Sequence, residues 1–546
     1  MSNAAQVLIR SLEAFDVTHV FGVPGEETLD LLAALKDSAI TFIPCRHEQS
    51  ATIMAANMGR LTGVPGVSLT TLGPGALNAI NGVAYAYLGQ MPLLVVSGQK
   101  PVRQIKQGNF QMLDVVEAMQ PVTLMSQRLM KADSTPSVVY HLLNTATDHT
   151  PGPVHLELAE DIAHETVSDA FSDLKSYQFN PNQLADDKAI NDVVERINAA
   201  NKPLLILGQH AQETEVAAQL KNLVQTTNMP FATTQMGKGA VDERIDQYMG
   251  TTALSSDDFV HEMAAAADLL IMVGHNESEK PPLMACGKHQ ELIHISTTKP
   301  ALNDTYFPDW ALIGDMAHTI QVLGTQLKPL DESPFTTIKQ AFDDHEVALM
   351  TSAHPVQIIQ QVRQALPSDA MVTLDNGMYK IWFTRHYRAH IENSLLLDNA
   401  LATMGAGLPA AIACQLVYPE RPVLAVCGDG GFVMGGQDFE TAVRLNLNLV
   451  VLILRDDQFG MIRWKQEMDG FDDYGLDFGN PDFAAMADSF GAKGHRIDDV
   501  SALGDCIGAC VEQGGVHLIE MGIDYAANSL FNDLAPVVKQ AIESID

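Results

Sequence analysis

Short apolar runs rich in β-branched residues alternate with helical patterns along the chain, and this alternation restricts the fold more than any other feature. THVFGVPG reads as a strand ending in a Gly/Pro turn, with the helical ETLDLLAALKD after it. ITFIP, GVSLTT and PLLVVSG are further strands, separated by the helices HEQSATIMAANMGRL and GPGALNAINGVAYAYLG. Continuous apolar strands between helices predict an α/β fold with a parallel sheet covered on both faces. GPVHLEL, at 152–158, reads as the last strand of this unit. The pattern stops in a polar stretch from about 164 to 188 and restarts with PLLILG, NMPFATT, ADLLIMVG and ELIHIS. It stops again at KPLDESPFTT and resumes with AMVTLD, VLAVCGDG, LNLVVLILRD and VHLIEMG. The expectation is three successive doubly wound parallel-sheet domains, at 1–165, 188–330 and 350–546, the third resembling the first only in architecture.

A chain of 546 residues is too long for one core and suits roughly three domains, and a hydrophobic fraction of 46% lets each bury its own. The net charge of −34 is spread along the chain. It argues against nucleic acid or an anionic membrane as partner, because both need basic patches. No apolar run reaches the ~18 residues of a membrane span. The N-terminal MSNAAQVLIRSLEAFD reads as an amphipathic helix, not a signal peptide. The six cysteines (Cys45, Cys286, Cys414, Cys427, Cys506 and Cys510) form no CxxC pair; Cys506 and Cys510 sit four apart on a predicted helix, with no second ligand pair beside them. Reduced thiols and a cytoplasmic location are expected.

The chemistry concentrates in VLAVCGDG, an apolar strand ending in Gly428-Asp429-Gly430, with Gly431 and the helical GGQDFETAVRLN after it. The next strand, LVVLILRD, ends at Asp456, 27 positions after Asp429, and Gln458, Phe459, Gly460 and Met461 follow. Two neighbouring parallel strands would each deliver an aspartate to the carboxyl edge of the sheet, where ligands bind in open α/β folds. Mg²⁺ takes one or two carboxylates together with phosphate oxygens and water. The glycines and the following helix N-terminus let backbone N–H groups approach a diphosphate. Taken alone, an Asp-Gly pair is a common turn. Arg46-His47-Glu48 sits at a strand-to-helix junction, where an acidic residue is also favoured by the helix dipole.

The whole cassette, with its gap, resembles the diphosphate-binding signature of thiamine diphosphate enzymes, and the likeness runs over nearly the entire chain. It is strongest to the large subunits of acetolactate synthase (acetohydroxyacid synthase), in particular the catabolic ones. The resemblance implies a pyrimidine-binding, a central and a diphosphate-binding domain, in that order. It implies Mg²⁺ held by Asp429, Asp456 and the main-chain carbonyl of Gln458, although Asp456 stands where many members carry Asn. Arg46-His47-Glu48 matches the motif whose Glu hydrogen-bonds the aminopyrimidine ring in a largely apolar setting and promotes its imino form. Val23-Pro24-Gly25 and Thr71-Leu72-Gly73-Pro74-Gly75 match Gly/Pro turns that approach the ligand, and Phe110-Gln111 matches a pair lining the substrate pocket. Read alone, Phe110 is a core residue more readily than a site residue. Met404 matches the residue propping the bent cofactor, and Ala402 would offer its carbonyl to the 4'-amino group. Asn376, Gly377, Met378 and Tyr379 are expected beside the diphosphate.

The reaction so implied decarboxylates pyruvate and condenses the hydroxyethyl group with a second 2-oxoacid, giving 2-acetolactate. The two cofactor halves would meet across a subunit interface, so a homodimer or homotetramer is expected. Anabolic members carry a flavin-binding Arg where this chain reads HNESEKPPL, which argues against FAD. Trp464 stands one position before the place of a Trp that favours 2-ketobutyrate, and Lys465 occupies that place. Another 2-oxoacid decarboxylase or carboligase would use the same cassette. A nucleotide-dependent oxidoreductase would need a GxGxxG between strand and helix, and none is found.

Overall fold

A computed structural model describes residues 2–103, 108, 110–168, 183–254, 258–281, 290–525, 536 and 540. The described strands form three sheets of six, and the paired strands run parallel. The first sheet contains β1 (His19–Gly22), β2 (Thr41–Pro44), β3 (Gly66–Thr70), β4 (Leu93–Gln99), β5 (Met125–Arg128) and β6 (Pro153–Ala159), in the order β2-β1-β3-β4-β6-β5. The second contains β7 (Pro203–Leu207), β8 (Phe231–Thr233), β9 (Tyr248–Thr251), β10 (Leu269–Val273), β11 (Glu291–Ser296) and β12 (Trp310–Ile313), in the order β12-β11-β10-β7-β8-β9. The third contains β13 (Met371–Leu374), β14 (Leu395–Leu396), β15 (Val423–Gly428), β16 (Leu449–Arg455), β17 (Lys493–Ile497) and β18 (Val516–Gly522), in the order β14-β13-β15-β16-β18-β17.

The first and third sheets therefore share one strand order, a closer likeness than the common architecture expected from sequence. The central sheet instead has the order in which strands run outward in both directions from β7 and β10, as in dinucleotide-binding folds. GPVHLEL is the last strand of its unit in sequence, but β5 takes the edge beside it. The stretch 331–349, assigned to no domain from sequence, contains most of a helix, Thr336–Ser352. Phe335, Ile338 and Phe342 bury one side of it against the central sheet, with Phe342 stacked on Phe259 at 4.4 Å. The charged residues between them hid that apolar side. At the other boundary, Val167 is buried in the first core and its N–H bonds to the Ser2 carbonyl, so the first unit extends past 165.

Helix Glu48–Thr62 starts where the His47 side chain accepts the Gln49 N–H, and it stops at Gly63, whose φ of +72° favours glycine. This helix packs against helix Gly407–Val417 in one core shared by the first and third sheets, including Ile53, Met54, Leu408 and Ile412. Each such side chain contributes about 1.5–3 kcal/mol when fully buried. The two sheets are thus held by apolar burial, with hydrogen bonds from Arg60 to Leu397 O and from Asn81 to Thr403 at its margin. Among the described residues, no helix is long and apolar enough to cross a membrane.

Candidate active site

In both outer sheets the strand order reverses between the first and third strands, and the carboxyl ends there open a crevice. In the first sheet the crevice is edged by the turns after β1 and β3. A Cβ at Gly25 would lie 2.4 Å from the Thr71 side chain, so Val23-Pro24-Gly25 and the Thr71 turn touch. Gly73 has φ +41°, and a Cβ there would meet the Gln111 carbonyl at 2.6 Å. A Cβ at Gly75 would stand 3.1 Å from Glu48 Oε1. Val23, Pro24, Gly25, Thr71, Gly73, Gln111 and Glu48 are thereby brought together at one edge.

Glu48 opens its helix and is 8% exposed. Asn78 donates to its Oε2 at 3.0 Å, so the carboxylate has an amide neighbour where a largely apolar setting was expected. Below the turns, Thr71 donates to Glu27, and Lys100 pairs with Glu27 at 3.3 Å. Sequence reading passed over this buried pair. Phe110 is 62% exposed, not core, and the Lys100 ammonium lies 5.8 Å from its ring centroid. Gln111 holds φ +58°, an uncommon backbone state for a non-glycine residue.

In the third sheet the crevice lies between β13 and β15. Asp375, just past β13, is fully buried and accepts N–H groups from Asn376 at 2.7 Å, Gly405 at 2.9 Å and Ala406 at 3.3 Å. Burial pushes its carboxyl up to about 6 despite these donors. A Cβ at Gly431 would come within 2.8 Å of Asp375 Oδ2, so only glycine lets the Gly428-Asp429-Gly430-Gly431 turn close over this anchor. The sequence places Asp375 at a strand end, first in the stretch expected beside the diphosphate; its carboxylate turns instead to tie together the starts of two helices. Asn376 donates to Thr403 O at 2.7 Å, and the Tyr379 ring lies against Gly377 and Gly428. Met378 is buried at the start of helix Met378–His386.

Asp429 is the first residue of helix Asp429–Gly435 and is 1% exposed. Its oxygens accept the N–H groups of Gly430 at 2.9 Å and Asp457 at 2.8 Å, and the amide of Asn480 at 2.8 Å. Asn480 lies in a polar loop with no sequence pattern to mark it. Burial first, and the facing carboxylate of Asp429 second, push Asp456 up to about 7. Asp456 Oδ2 also crowds Gly460, where a Cβ would stand 2.3 Å away. The Gln458 carbonyl accepts the Gly460 N–H at 3.0 Å and keeps a second lone pair. Phe459 and Phe478, with centroids 4.9 Å apart, cover the outer side of Gly430.

Between the central and third domains lies a cavity of about 550 Å³, lined among others by Gln235, Thr252, Glu279, Lys380, Ala402 and Met461. Ala402 carries φ +56° and is held by Asp398, which accepts its N–H at 2.7 Å. Met404, two residues on, is half-buried. Burial lowers Lys380 to about 8 and raises Glu279 to about 7. Lys465 also lines this cavity, its ammonium 4.7 Å from the Trp464 ring centroid. At the switch of the central sheet, Gln209 and Asn276 bond to each other and to the carbonyls of Gly89 and Leu88 in the first domain. Part of HNESEKPPL, at 282–283, lies outside the described residues.

Comparison with known proteins agrees with this geometry. Three family models match in order: the N-terminal TPP binding domain of thiamine pyrophosphate enzymes over residues 2–118, their central domain over 190–323 and their C-terminal TPP binding domain over 375–521. The "Acetolactate synthase, catabolic" of Raoultella terrigena is 30% identical, over 97% of this chain and 96% of the relative. The acetolactate synthase of Bacillus subtilis (strain 168) is 28% identical, over 98% and 96%. The acetolactate synthase isozyme 2 large subunit of Escherichia coli (strain K12) is 27% identical, over 96% of each. Similarity of this extent, with both outer crevices built as described, establishes that the chain belongs to the thiamine pyrophosphate enzymes, in the acetolactate synthase branch, and works with thiamine diphosphate.

Proposed function

We propose that this enzyme decarboxylates pyruvate and joins the two-carbon unit that remains to a second pyruvate, giving 2-acetolactate. The observation that carries this reading is the match between two crevices of the same strand order, one holding the buried carboxylate of Glu48 at its edge and the other a carboxylate pair at Asp429 and Asp456. Two facing carboxylates repel each other and favour a bound cation. Asp429, Asp456 and the free lone pair of the Gln458 carbonyl make a hard, all-oxygen donor set that fits Mg²⁺ carried with a diphosphate. The N–H group of Gly431, beside the start of the same helix, suits a diphosphate oxygen, while that of Gly430 stays on the Asp429 carboxylate.

When bound, thiamine diphosphate supplies a nucleophilic carbon and takes up the electron pair released as CO₂ leaves. The chain's own groups do the rest. Glu48 exchanges a proton with the pyrimidine ring nitrogen, and Asn78 orients its carboxylate. Met404 would support the bound cofactor, and the Ala402 carbonyl would accept a hydrogen bond from its 4'-amino group. Asn376, Gly377, Met378 and Tyr379 wall the diphosphate side. Gln111 and Phe110 face the substrate, with Lys465 drawing the carboxylate of the acceptor 2-oxoacid into the cavity.

The working assembly is a cytoplasmic homodimer or homotetramer. Exposed apolar side chains flank both crevices, Leu77, Phe110 and Leu113 on the first domain and Val433, Met434 and Ile462 on the third, and a second subunit would cover them. The enzyme works without flavin: the central crevice, where a dinucleotide would lie, is tied by Gln209 and Asn276 to the first domain. The test is to incubate apo-protein with Mg²⁺, thiamine diphosphate and pyruvate, with and without FAD, following CO₂ and products together. One CO₂ per acetolactate, unaffected by FAD, is expected; acetaldehyde as the sole product would make the enzyme a simple decarboxylase.

A further inference from the structure

The sequence shows no second ligand pair beside Cys506 and Cys510, but the fold supplies one. In the parallel pairing of β17 with β18, Lys493 stands opposite His517, which puts His495 and His517 on the same side of the sheet, two positions apart. Helix Leu503–Gln513 crosses that side and lays Cys510 against them. The two imidazoles stack with centroids 5.3 Å apart, His495 Nε2 lies 3.1 Å from His517 Nδ1, and Cys510 Sγ lies 3.5 Å from His495 Nε2. All three donor atoms fall within 4.8 Å of one another.

We propose that His495, Cys510 and His517, with Cys506 as a fourth donor one helical turn away, bind a tetrahedral divalent transition-metal ion of the zinc class. Zinc bonds of ordinary length place two tetrahedral nitrogens about 3.3 Å apart, and a nitrogen and a sulfur about 3.6 Å apart. The observed separations of 3.1 and 3.5 Å are close to both before any side chain moves. The outer face of His517 is arranged as metal-bound histidines are: Nε2 donates to the Gly514 carbonyl at 3.0 Å, leaving the Nδ1 lone pair turned inward. Cys506 precedes Cys510 by one helical turn and is only partly covered; it stands outside the three-donor cluster and joins it by turning toward an ion.

The site is separate from the cofactor crevice. His517 is the second residue of β18, at the amino end of the sheet, whereas Asp429 and Asp456 follow the carboxyl ends of β15 and β16. Its effect would be structural, clamping the edge strand β17 and helix Leu503–Gln513 onto β18.

The test uses the full-length enzyme, stripped with a chelator, reloaded with Mg²⁺ and thiamine diphosphate, and then titrated with Co²⁺ as a coloured stand-in. One equivalent per chain should bind with a thiolate-to-cobalt charge-transfer band and the strong visible absorption of a tetrahedral site, and Zn²⁺ should bleach both. Cys510→Ser should remove the charge-transfer band or leave only a weak one from Cys506. His495→Asn, at a partly exposed position, should weaken Co²⁺ binding by about tenfold or more while leaving pyruvate turnover unchanged. Zn²⁺ should raise the melting temperature of the unaltered enzyme and not that of His495→Asn. A titration without a charge-transfer band, or a band and affinity unchanged in both variants, would overturn the proposal and leave a plain hydrogen bond between two imidazoles.

Discussion

His155 and His517 occupy corresponding strands of the first and third sheets, β6 and β18, in the similar stretches VHLEL and VHLIE, and they are satisfied in different ways. His155 is fully buried between two hydroxyls, Ser97 and Ser126, each 2.8 Å from a ring nitrogen. His517 faces an imidazole with a thiol beside it. The carboxyl ends of the two sheets diverge in the same manner. The first carries Glu48 among Gly/Pro turns, the third an aspartate pair beneath a helix start. A shared strand order fixes where a ligand can lie; the residues laid along that edge decide whether it is gripped by its ring or by its charge.

That division of labour can be broken experimentally. The largest effect is expected for Glu48→Gln, which should lower kcat by about 10²–10⁴-fold, as loss of a proton-transfer group does, with thiamine diphosphate affinity nearly unchanged. A variant that keeps full turnover breaks the assignment. Asp429→Asn should show the opposite signature, a loss of about 10²-fold in Mg²⁺ and cofactor affinity, read by titration even where turnover is absent. Normal cofactor binding in that variant would place the charge grip elsewhere.

A pH experiment sharpens the comparison of the histidines. Burial pushes His155 down to about 3 from an ordinary 6.5, so between those values the unfolded chain holds more protons than the folded one. Its contribution to stability is complete above about pH 6.5 and falls by about 1.4 kcal/mol for each pH unit below it. Denaturant unfolding at pH 7, 6 and 5 should show a slope steeper by about this amount in the native enzyme than in His155→Gln, other buried histidines such as His275 contributing to both; equal slopes would mean the imidazole gains protons while folded. Asn480→Ala should weaken Mg²⁺ binding by about tenfold, less than loss of Asp429, because it removes one orienting donor. Lys465→Met should raise KM for pyruvate only about twofold to fivefold, as expected for a partly screened charge.

The interior strands were readable and, apart from β2 in ITFIP, the edges were not. β5, β9, β12, β14 and β17 escaped the sequence reading, and each lies at the rim of its sheet. Interior strands such as β4 and β16 are apolar runs because both faces are covered. MSQR in β5 and KGHRI in β17 are half-covered and polar, and YMGT in β9 is interrupted by Gly250 at φ +117°. In the site, Asp429, Asp456 and Glu48 could be recognised because their spacing sits inside a continuous motif. Asn480 and Asn78 act by meeting residues dozens of positions away, and nothing local marks them; the strand end marks Asp375, but not its hold on Gly405 and Ala406. The second donor pair for Cys506 and Cys510 was hidden for the same reason, since His495 comes from one of the unread edge strands.

Helix Gly73–Leu88 is fastened at both ends. Its first turn brings Gly75 to the Glu48 carboxylate, and the carbonyls of Leu88 and Gly89 at its other end are gripped by Asn276 and Gln209 of the central domain. A single residue inserted between those ends would turn one of them by about 100° and advance it about 1.5 Å, so only one could remain seated. The length of this rod is therefore frozen, and the central domain, which brings none of the predicted catalytic side chains, serves as the gauge block against which the first crevice is set.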